Sequence, residues 1–345
     1  RRIAIDIEAD SLYHYFEKVC LIQISTDAET FVLDPLALKN LAGLAPMMAD
    51  CGIEKVFHAA NYDICSLRRD HGFSFANLFD THIAAQLLGY PQLGLSSLME
   101  KLLGVVHSKR NQRDDWSRRP LKREQLEYAA MDTHHLLPLR DVLESQLRDK
   151  GRLAWAEEEF AAAAIAELPE KEFDADGFRR IKGSKDLSPK ELSILRALYL
   201  LRDRYAREMD VPPFKVLNNP VLLDLARRPP RSAGQMYTRP GISFRVARNY
   251  GPEIYEQIEK ARREDSSPVE PPARYTWKPM SREAKRRLER LKHWRQAKAR
   301  ELELPVGVVF PGDLLELFAE SPPDDLPALR AILSLIHISE PTRPY

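Results

Sequence analysis

The feature that most constrains the fold is a short apolar strand that carries two carboxylates. Residues 3–8 read Ile-Ala-Ile-Asp-Ile-Glu. Because side chains alternate along a β-strand, Asp6 and Glu8 point to the same face. Two carboxylates this close repel each other, and a bound divalent cation is the usual way in which both stay ionised. An isolated Asp-X-Glu pattern is more often a pair of surface charges, but the apolar neighbours of this pair favour a metal site.

Three further polar residues extend the pattern. Asp63 comes four residues after a predicted strand at 55–59, and strand ends of α/β sheets face the binding crevice. Tyr128 and Asp132 are four residues apart in a predicted helix, which places the phenol and the carboxylate on one face. Each signal has a structural alternative. Asp63 also suits the first turn of a helix. Tyr128 and Asp132 also fit an amphipathic helix in which the tyrosine ring is packed and the aspartate is exposed.

The order of the predicted elements indicates an α/β domain at the start of the chain. Three early strands are rich in β-branched and aliphatic residues, at 3–7, 19–25 and 30–34. Later strand candidates alternate with helices, predicted at 61–71, 81–88, 95–103 and 123–148. Successive strands followed by alternation predict a mixed sheet flanked by helices. We also expect Asp80 to cap the helix that follows it.

Length and charge indicate more than one domain and a polyanionic partner. A chain of 345 residues is too long for one ordinary core. Residues 1–150 hold 18 basic and 21 acidic side chains, whereas residues 151–345 hold 34 and 30. An acidic front half with basic modules behind it suits a metal-dependent enzyme that binds nucleic acid elsewhere, although solvated helix faces would give the same balance. No apolar run approaches the ~20 residues of a membrane span.

The four carboxylates, taken in order and in their structural context, resemble the DEDD exonucleases. The flanking segments VCLIQIS, FVLDPL, VFHAANYD, LFDTHIAAQLLGY and DDWSRRPLKREQLEYAAMD are similar to ribonuclease D over residues 3–150. In the His subclass of this superfamily a histidine lies five residues before the last aspartate, where this chain has Glu127. Tyr128, four residues before Asp132, is identified with the Tyr subclass.

This resemblance implies a ribonuclease H-like fold and two divalent metal ions, Mg²⁺ or Mn²⁺. Its implied metal ligands are Asp6, Glu8, Asp63 and Asp132. Asp6 would be shared by both ions, and Tyr128 would orient the attacking water. Two cations suit phosphodiester hydrolysis because charge develops on both the attacking and the leaving oxygen.

A second resemblance covers residues 186–264, which are similar to the HRDC (helicase and RNase D C-terminal) domain, a small helical module that binds nucleic acid. Residues 279–332 resemble a partial second copy. Without the exonuclease in front, the same residues would indicate only a helical bundle. The basic stretch 109–123 is a further candidate contact with the substrate backbone. The predicted nucleic-acid-binding residues are Arg118, Arg119, Lys122, Arg202, Arg204, Arg227 and Arg228.

We therefore divide the chain into an exonuclease domain (1–150), a helical connector (151–185), an HRDC domain (186–264), a proline-rich linker (265–279), a partial second HRDC-like domain (280–332) and a tail (333–345). Within that tail, residues 333–343 resemble the translation of a sequencing adapter; the alternative is an amphipathic C-terminus. The expected function is a cytoplasmic 3′→5′ exoribonuclease that trims structured RNA with a free 3′ end, such as tRNA precursors, into nucleoside 5′-monophosphates. The alternatives are a DNA 3′→5′ exonuclease and a catalytically inactive nucleic-acid-binding module. No membrane partner is expected.

Overall fold

The structure, a computed structural model, describes residues 1–38, 40–108, 110–166, 173–263 and 280–329. The predicted proline-rich linker and the predicted adapter tail lie outside these residues. Contacts divide the chain into two compact units. The first contains residues 1–10, 18–169 and 278–345, and the second contains residues 11–17 and 170–277. Among the described helices, none is both long and apolar enough to cross a membrane.

A five-stranded mixed sheet forms the centre of the first unit, as predicted. Its strands are β1 (Arg2–Ala9), β2 (Val19–Ser25), β3 (Thr30–Leu33), β4 (Glu54–Phe57) and β5 (Leu78–Asp80). They lie in the order β3-β2-β1-β4-β5. β1 pairs with β2, and β2 with β3, in antiparallel orientation, whereas β1–β4 and β4–β5 are parallel. Every residue of β2 is buried, so β1 and β2 form the middle of the core.

Helices cover the sheet and build the rest of the chain. The first unit contains α1 (Ala45–Ala49), α2 (Asn61–His71), α3 (Thr81–Leu88), α4 (Leu95–Leu103), α5 (Arg123–His134), α6 (Leu136–Asp149) and α7 (Leu153–Ile165). The second contains α8 (Pro189–Glu208), α9 (Pro213–Val216), α10 (Asn219–Arg227) and α11 (Phe244–Arg263). The chain then returns to the first unit with α12 (Arg282–Leu302), α13 (Val306–Val309) and α14 (Gly312–Glu320).

The single helix expected over 123–148 is two helices. α5 ends at His134 and α6 begins at Leu136, with His135 outside helical geometry between them. Pro138 explains the break, because a proline ring clashes with the carbonyl group four residues earlier, here that of His134. The break gives the helix that carries Asp132 its own direction, independent of α6.

The first part of the predicted connector, up to residue 169, and the described part of the predicted second HRDC-like region belong to the first unit, whereas residues 170–185 belong to the second. α7 starts the predicted connector, yet Phe160 is buried in the same core as the sheet. In the predicted second HRDC-like region, Val308 packs against that core. The guanidinium group of Arg152 donates to the carbonyl oxygens of Leu87 in α3 and Leu302 in α12. This residue therefore links α12 to the exonuclease fold.

The second unit is helical, and α8 organises it. Ser188 and Glu191 form a capping box at its start, with Pro189 at the first helical position, as the sequence indicates. The short segment 11–17 packs on this unit. Its Tyr15 hydroxyl donates to the Asp203 carboxylate at 2.8 Å, and the Asp210 carboxylate accepts from the Tyr15 backbone N–H at 3.1 Å.

Asp80 fixes the two turns that begin α2 and α3. Its buried carboxylate accepts hydrogen bonds from the backbone N–H groups of His82 and Ile83, which confirms the predicted cap of α3. The same carboxylate also accepts from the N–H groups of Ala59 and Ala60, at 3.0 and 2.8 Å. Ala59 has φ of 61°, a left-handed conformation that residues other than glycine seldom adopt. One side chain therefore holds the turn that leads into α2.

We predict that Asp80→Ala lowers the free energy of unfolding by about 2 kcal/mol or more, because a cap is lost and buried N–H groups lose their acceptor. Urea denaturation followed by circular dichroism measures this. Asp149→Ala is the matched control at an exposed helix end, where a change of no more than about 0.5 kcal/mol is expected. Equal effects of the two substitutions would contradict the role assigned to Asp80.

Candidate active site

Three of the four predicted carboxylates meet between β1 and α5. β1 presents Asp6 and Glu8 on one face, and α5 lies across this face with Asp132 directed at them. One carboxylate oxygen from each of the three lies within 4.8 Å of the other two. The strand alternation that the sequence suggested is therefore present, and the helix supplies the third carboxylate from a position more than a hundred residues away.

Asp63 lies beside this group, in the first turn of α2. It is buried, and burial, followed by the charges of Asp6 and Asp80, raises its pKa well above the ordinary value. Asp63 is not one of the three carboxylates whose oxygens lie within 4.8 Å of one another, but it is near enough for the charge of Asp6 to affect its pKa.

The cluster is electrostatically unfavourable as a set of bare anions. Burial is the largest cause that raises the pKa of Glu8 to about 10, and the charges of Asp6 and Asp132 add to it. Burial and the charge of Asp132 likewise raise the pKa of Asp6 well above its usual range. A divalent cation would remove this penalty, because it replaces mutual repulsion by attraction. Hard carboxylate oxygens are the donors that Mg²⁺ and Mn²⁺ prefer, so the residues fit such an ion.

Tyr128 lies at the edge of the cluster, one helical turn before Asp132 on α5. Burial, followed by the charge of Asp132, raises the pKa of Tyr128 far above its ordinary value. The phenol therefore stays protonated and acts as a hydrogen-bond donor. Its ring stacks on His107 at a centroid distance of 5.2 Å and lies 6.1 Å from the ring of Trp116.

His107 is a site residue that the sequence analysis missed. Its Nε2 lies 2.8 Å from Oδ1 of Asp132, and its side chain is only 6% exposed. It comes from the irregular segment between α4 and α5, where periodicity gives no information about side-chain direction. Trp116, which packs near Tyr128 from the same segment, was missed for the same reason.

Models of two known domains match the chain. A 3′-5′ exonuclease model matches residues 1–148, and an HRDC domain model matches residues 191–258 and 284–336. Ribonuclease D of Zymomonas mobilis is 36% identical over 269 residues, which cover 75% of this chain and 67% of that protein. The chain belongs to the ribonuclease D family.

Other relatives and solved structures agree with this membership. The exosome complex component 10 homolog of Caenorhabditis elegans is 36% identical over 241 residues, 69% of this chain but only 28% of that protein. The catalytic core of RRP6 from Trypanosoma brucei superposes with a TM-score of 0.69 at 31% identity, over 75% of this chain and 73% of that one. Escherichia coli RNase D superposes with a TM-score of 0.65 at 25% identity, over 97% of this chain and 92% of that one.

Within this ribonuclease D-type chain, two of the predicted nucleic-acid contacts already make several hydrogen bonds within the fold. Arg202 is buried, and its guanidinium group donates to the carbonyl oxygen of Leu217 and to Asn219. Arg119 makes a two-pronged pair with Asp34 and also donates to backbone carbonyls, but it is exposed and stays a predicted contact. The sequence cannot distinguish an arginine that binds a ligand from one that ties the fold together.

The remaining predicted contacts are at least partly exposed and stay predictions. Arg118 and Lys122 are exposed and come just before α5, the helix that carries Asp132. In the second unit Arg204 pairs with Glu253, Arg228 pairs with Asp224, and the Arg227 guanidinium donates to the carbonyl oxygen of Gly183. Intramolecular pairs such as these must be given up, at least in part, before a phosphate is bound.

The second unit also presents an exposed aromatic pair. The rings of Tyr237 and Phe244 lie 5.6 Å apart, and 70% of Phe244 is exposed. Arg248 follows Phe244 by one helical turn on the same face of α11. Aromatic rings beside arginines are typical of surfaces on which the bases of single strands stack.

We predict that His107→Phe weakens divalent-cation binding about 10–100-fold, the usual cost of losing a hydrogen-bond partner of a metal ligand. The phenyl ring keeps the stack on Tyr128 and removes the contact with Asp132. Titration calorimetry with Mn²⁺ measures the affinity. His134→Ala is the control, because that exposed ring bonds to Thr30 and not to the cluster. A tighter site in His107→Phe would mean that His107 competes with the cation for Asp132.

Proposed function

We propose that the chain is a 3′→5′ exoribonuclease that hydrolyses phosphodiester bonds from a free 3′ end and releases nucleoside 5′-monophosphates. The observation that carries the proposal is the close group of half-buried Asp6 and Glu8 and buried Asp132, which fits divalent cations and has Tyr128 at its edge. Membership of the ribonuclease D family supports RNA rather than DNA as the substrate.

The chemistry divides between the cations and the side chains. Two divalent ions, Mg²⁺ or Mn²⁺, would stabilise charge on the attacking and leaving oxygens of an in-line displacement. Asp6, Glu8 and Asp132 would hold them, with Asp63 supporting the second position. The protonated hydroxyl of Tyr128 would orient the attacking water, because the packing of its ring against His107 and Trp116 restricts where the donor points.

The substrate class is a further part of the proposal. The E. coli relative is described as an exoribonuclease involved in structured RNA processing, and we propose tRNA precursors or similar structured RNAs for this chain, acted on in the cytoplasm. Binding would use Arg118, Lys122, Arg204, Arg227 and Arg228 together with the pair Tyr237 and Phe244. These groups combine phosphate contacts with stacking, as single-stranded RNA requires.

We predict that Asp6→Asn abolishes cleavage but leaves RNA binding intact, since the proposed binding residues lie outside the carboxylate cluster. The assay uses the full chain with matched single-stranded RNA and DNA, in Mg²⁺ and in Mn²⁺, together with a circular RNA. The wild-type chain should remove a 3′-end label first and leave the circle uncut. Cutting of the circle would indicate an endonuclease, faster loss of DNA would favour a DNA exonuclease, and no cleavage of either would favour an inactive binding module.

Tyr128→Phe should slow turnover by ~10²-fold, the size expected for one positioned catalytic group, with the fold and RNA affinity unchanged. The substitution removes only the hydroxyl group and keeps the stack on His107. Single-turnover rates at saturating RNA measure the effect, and Tyr90→Phe is the matched control because its hydroxyl bonds to Gln146 away from the cluster. An unaltered rate for Tyr128→Phe would reduce this tyrosine to a packing residue.

A further inference from the structure

Gln23 is a polar residue that the packing of the core does not explain. It lies in the middle of β2 and is completely buried. Neither its amide nitrogen nor its amide oxygen has a hydrogen-bond partner among the described residues. A buried amide without partners destabilises a fold, and methionine would fill a similar space without this cost.

The register of the sheet places Gln23 beside the carboxylate cluster. In the antiparallel pair of β1 and β2, Gln23 is directly opposite Asp6. Directly opposite residues project to the same face, with Cβ atoms roughly 4.5–5.5 Å apart. On its other side Gln23 is paired with Val32 of β3, which offers no polar group.

Its neighbours along β2 show what lies above it. Leu21 packs in one cluster with Ala129, and the Ser25 hydroxyl group donates to Oγ1 of Thr133 at 2.7 Å. Gln23 is between them on the same face, because side chains alternate along the strand. It therefore lies under the turn of α5 that carries Asp132, at the base of the cluster.

We propose that Gln23 is a positioning residue of the metal site, whose amide nitrogen donates to the Asp6 carboxylate when a divalent cation is bound. An amide offers two donor hydrogens, and a ligand carboxylate has lone pairs left after it binds a cation. Hydrogen bonds of this kind orient carboxylate ligands. The inference rests on the metal site of the proposed function and adds a residue to it.

The test separates a positioning role from a packing role by two measurements on the full chain. Gln23→Met should bind Mn²⁺ about 10–100-fold more weakly in titration calorimetry. Without metal, the same variant should resist urea as well as the wild-type chain or better, because a buried polar group without partners has been removed. Gln23→Leu is a second apolar variant, for which the same pair of results is expected.

Ser25→Ala is the control on the same face of β2. It should lose stability, because it breaks the bond to Thr133, and should keep the wild-type Mn²⁺ affinity. Unchanged Mn²⁺ binding in Gln23→Met would overturn the positioning role while leaving the proposed function intact. Weaker binding together with lower stability would also overturn it, since Gln23 would then be a structural residue. If the wild-type chain binds no Mn²⁺, the proposed metal site fails as well.

Discussion

The mutual repulsion of closely spaced, at least half-buried carboxylates is the constraint on which the active site depends. Asp6, Glu8 and Asp132 lie within 4.8 Å of one another, and burial together with their own charges raises the pKa of each of the first two. A fold stabilises such a group only if a cation is bound there or if protons are taken up. The completely buried β2, which pairs with β1, and α5, which packs on the sheet, hold the group together against this cost.

The supports of the site are themselves polar and buried. Asp80 accepts four backbone hydrogen bonds and so fixes the turn before the helix that carries Asp63. His107 contacts Asp132 and stacks on Tyr128. Such contacts restrict where each carboxylate and the phenol can point, which is what precise placement of reacting groups requires.

The basic residues show why charge alone is a weak guide to a binding surface. Buried Arg202 donates to a backbone carbonyl group, and exposed Arg119 donates to a backbone carbonyl group and to the Asp34 carboxylate. Arginine can bind a phosphate or stabilise the fold equally well, because its planar guanidinium group donates hydrogen bonds in several directions at once. Exposure and the partners already present decide which arginines remain for a phosphate.

The sequence by itself determined the mixed sheet, the strand that carries Asp6 and Glu8, the cap of α3 by Asp80 and the family. These depend on local periodicity, capping chemistry and motif order, which a linear chain displays directly. Pro138 is a sequence signal for the break between α5 and α6, but the helical spacing continues across it and led to the prediction of one helix. Only the tertiary structure decided that His107 contacts Asp132, that Arg202 is buried, and that Val308 packs on the exonuclease core. Each of these depends on contacts between residues far apart in sequence, and no local pattern records which partner a side chain will find.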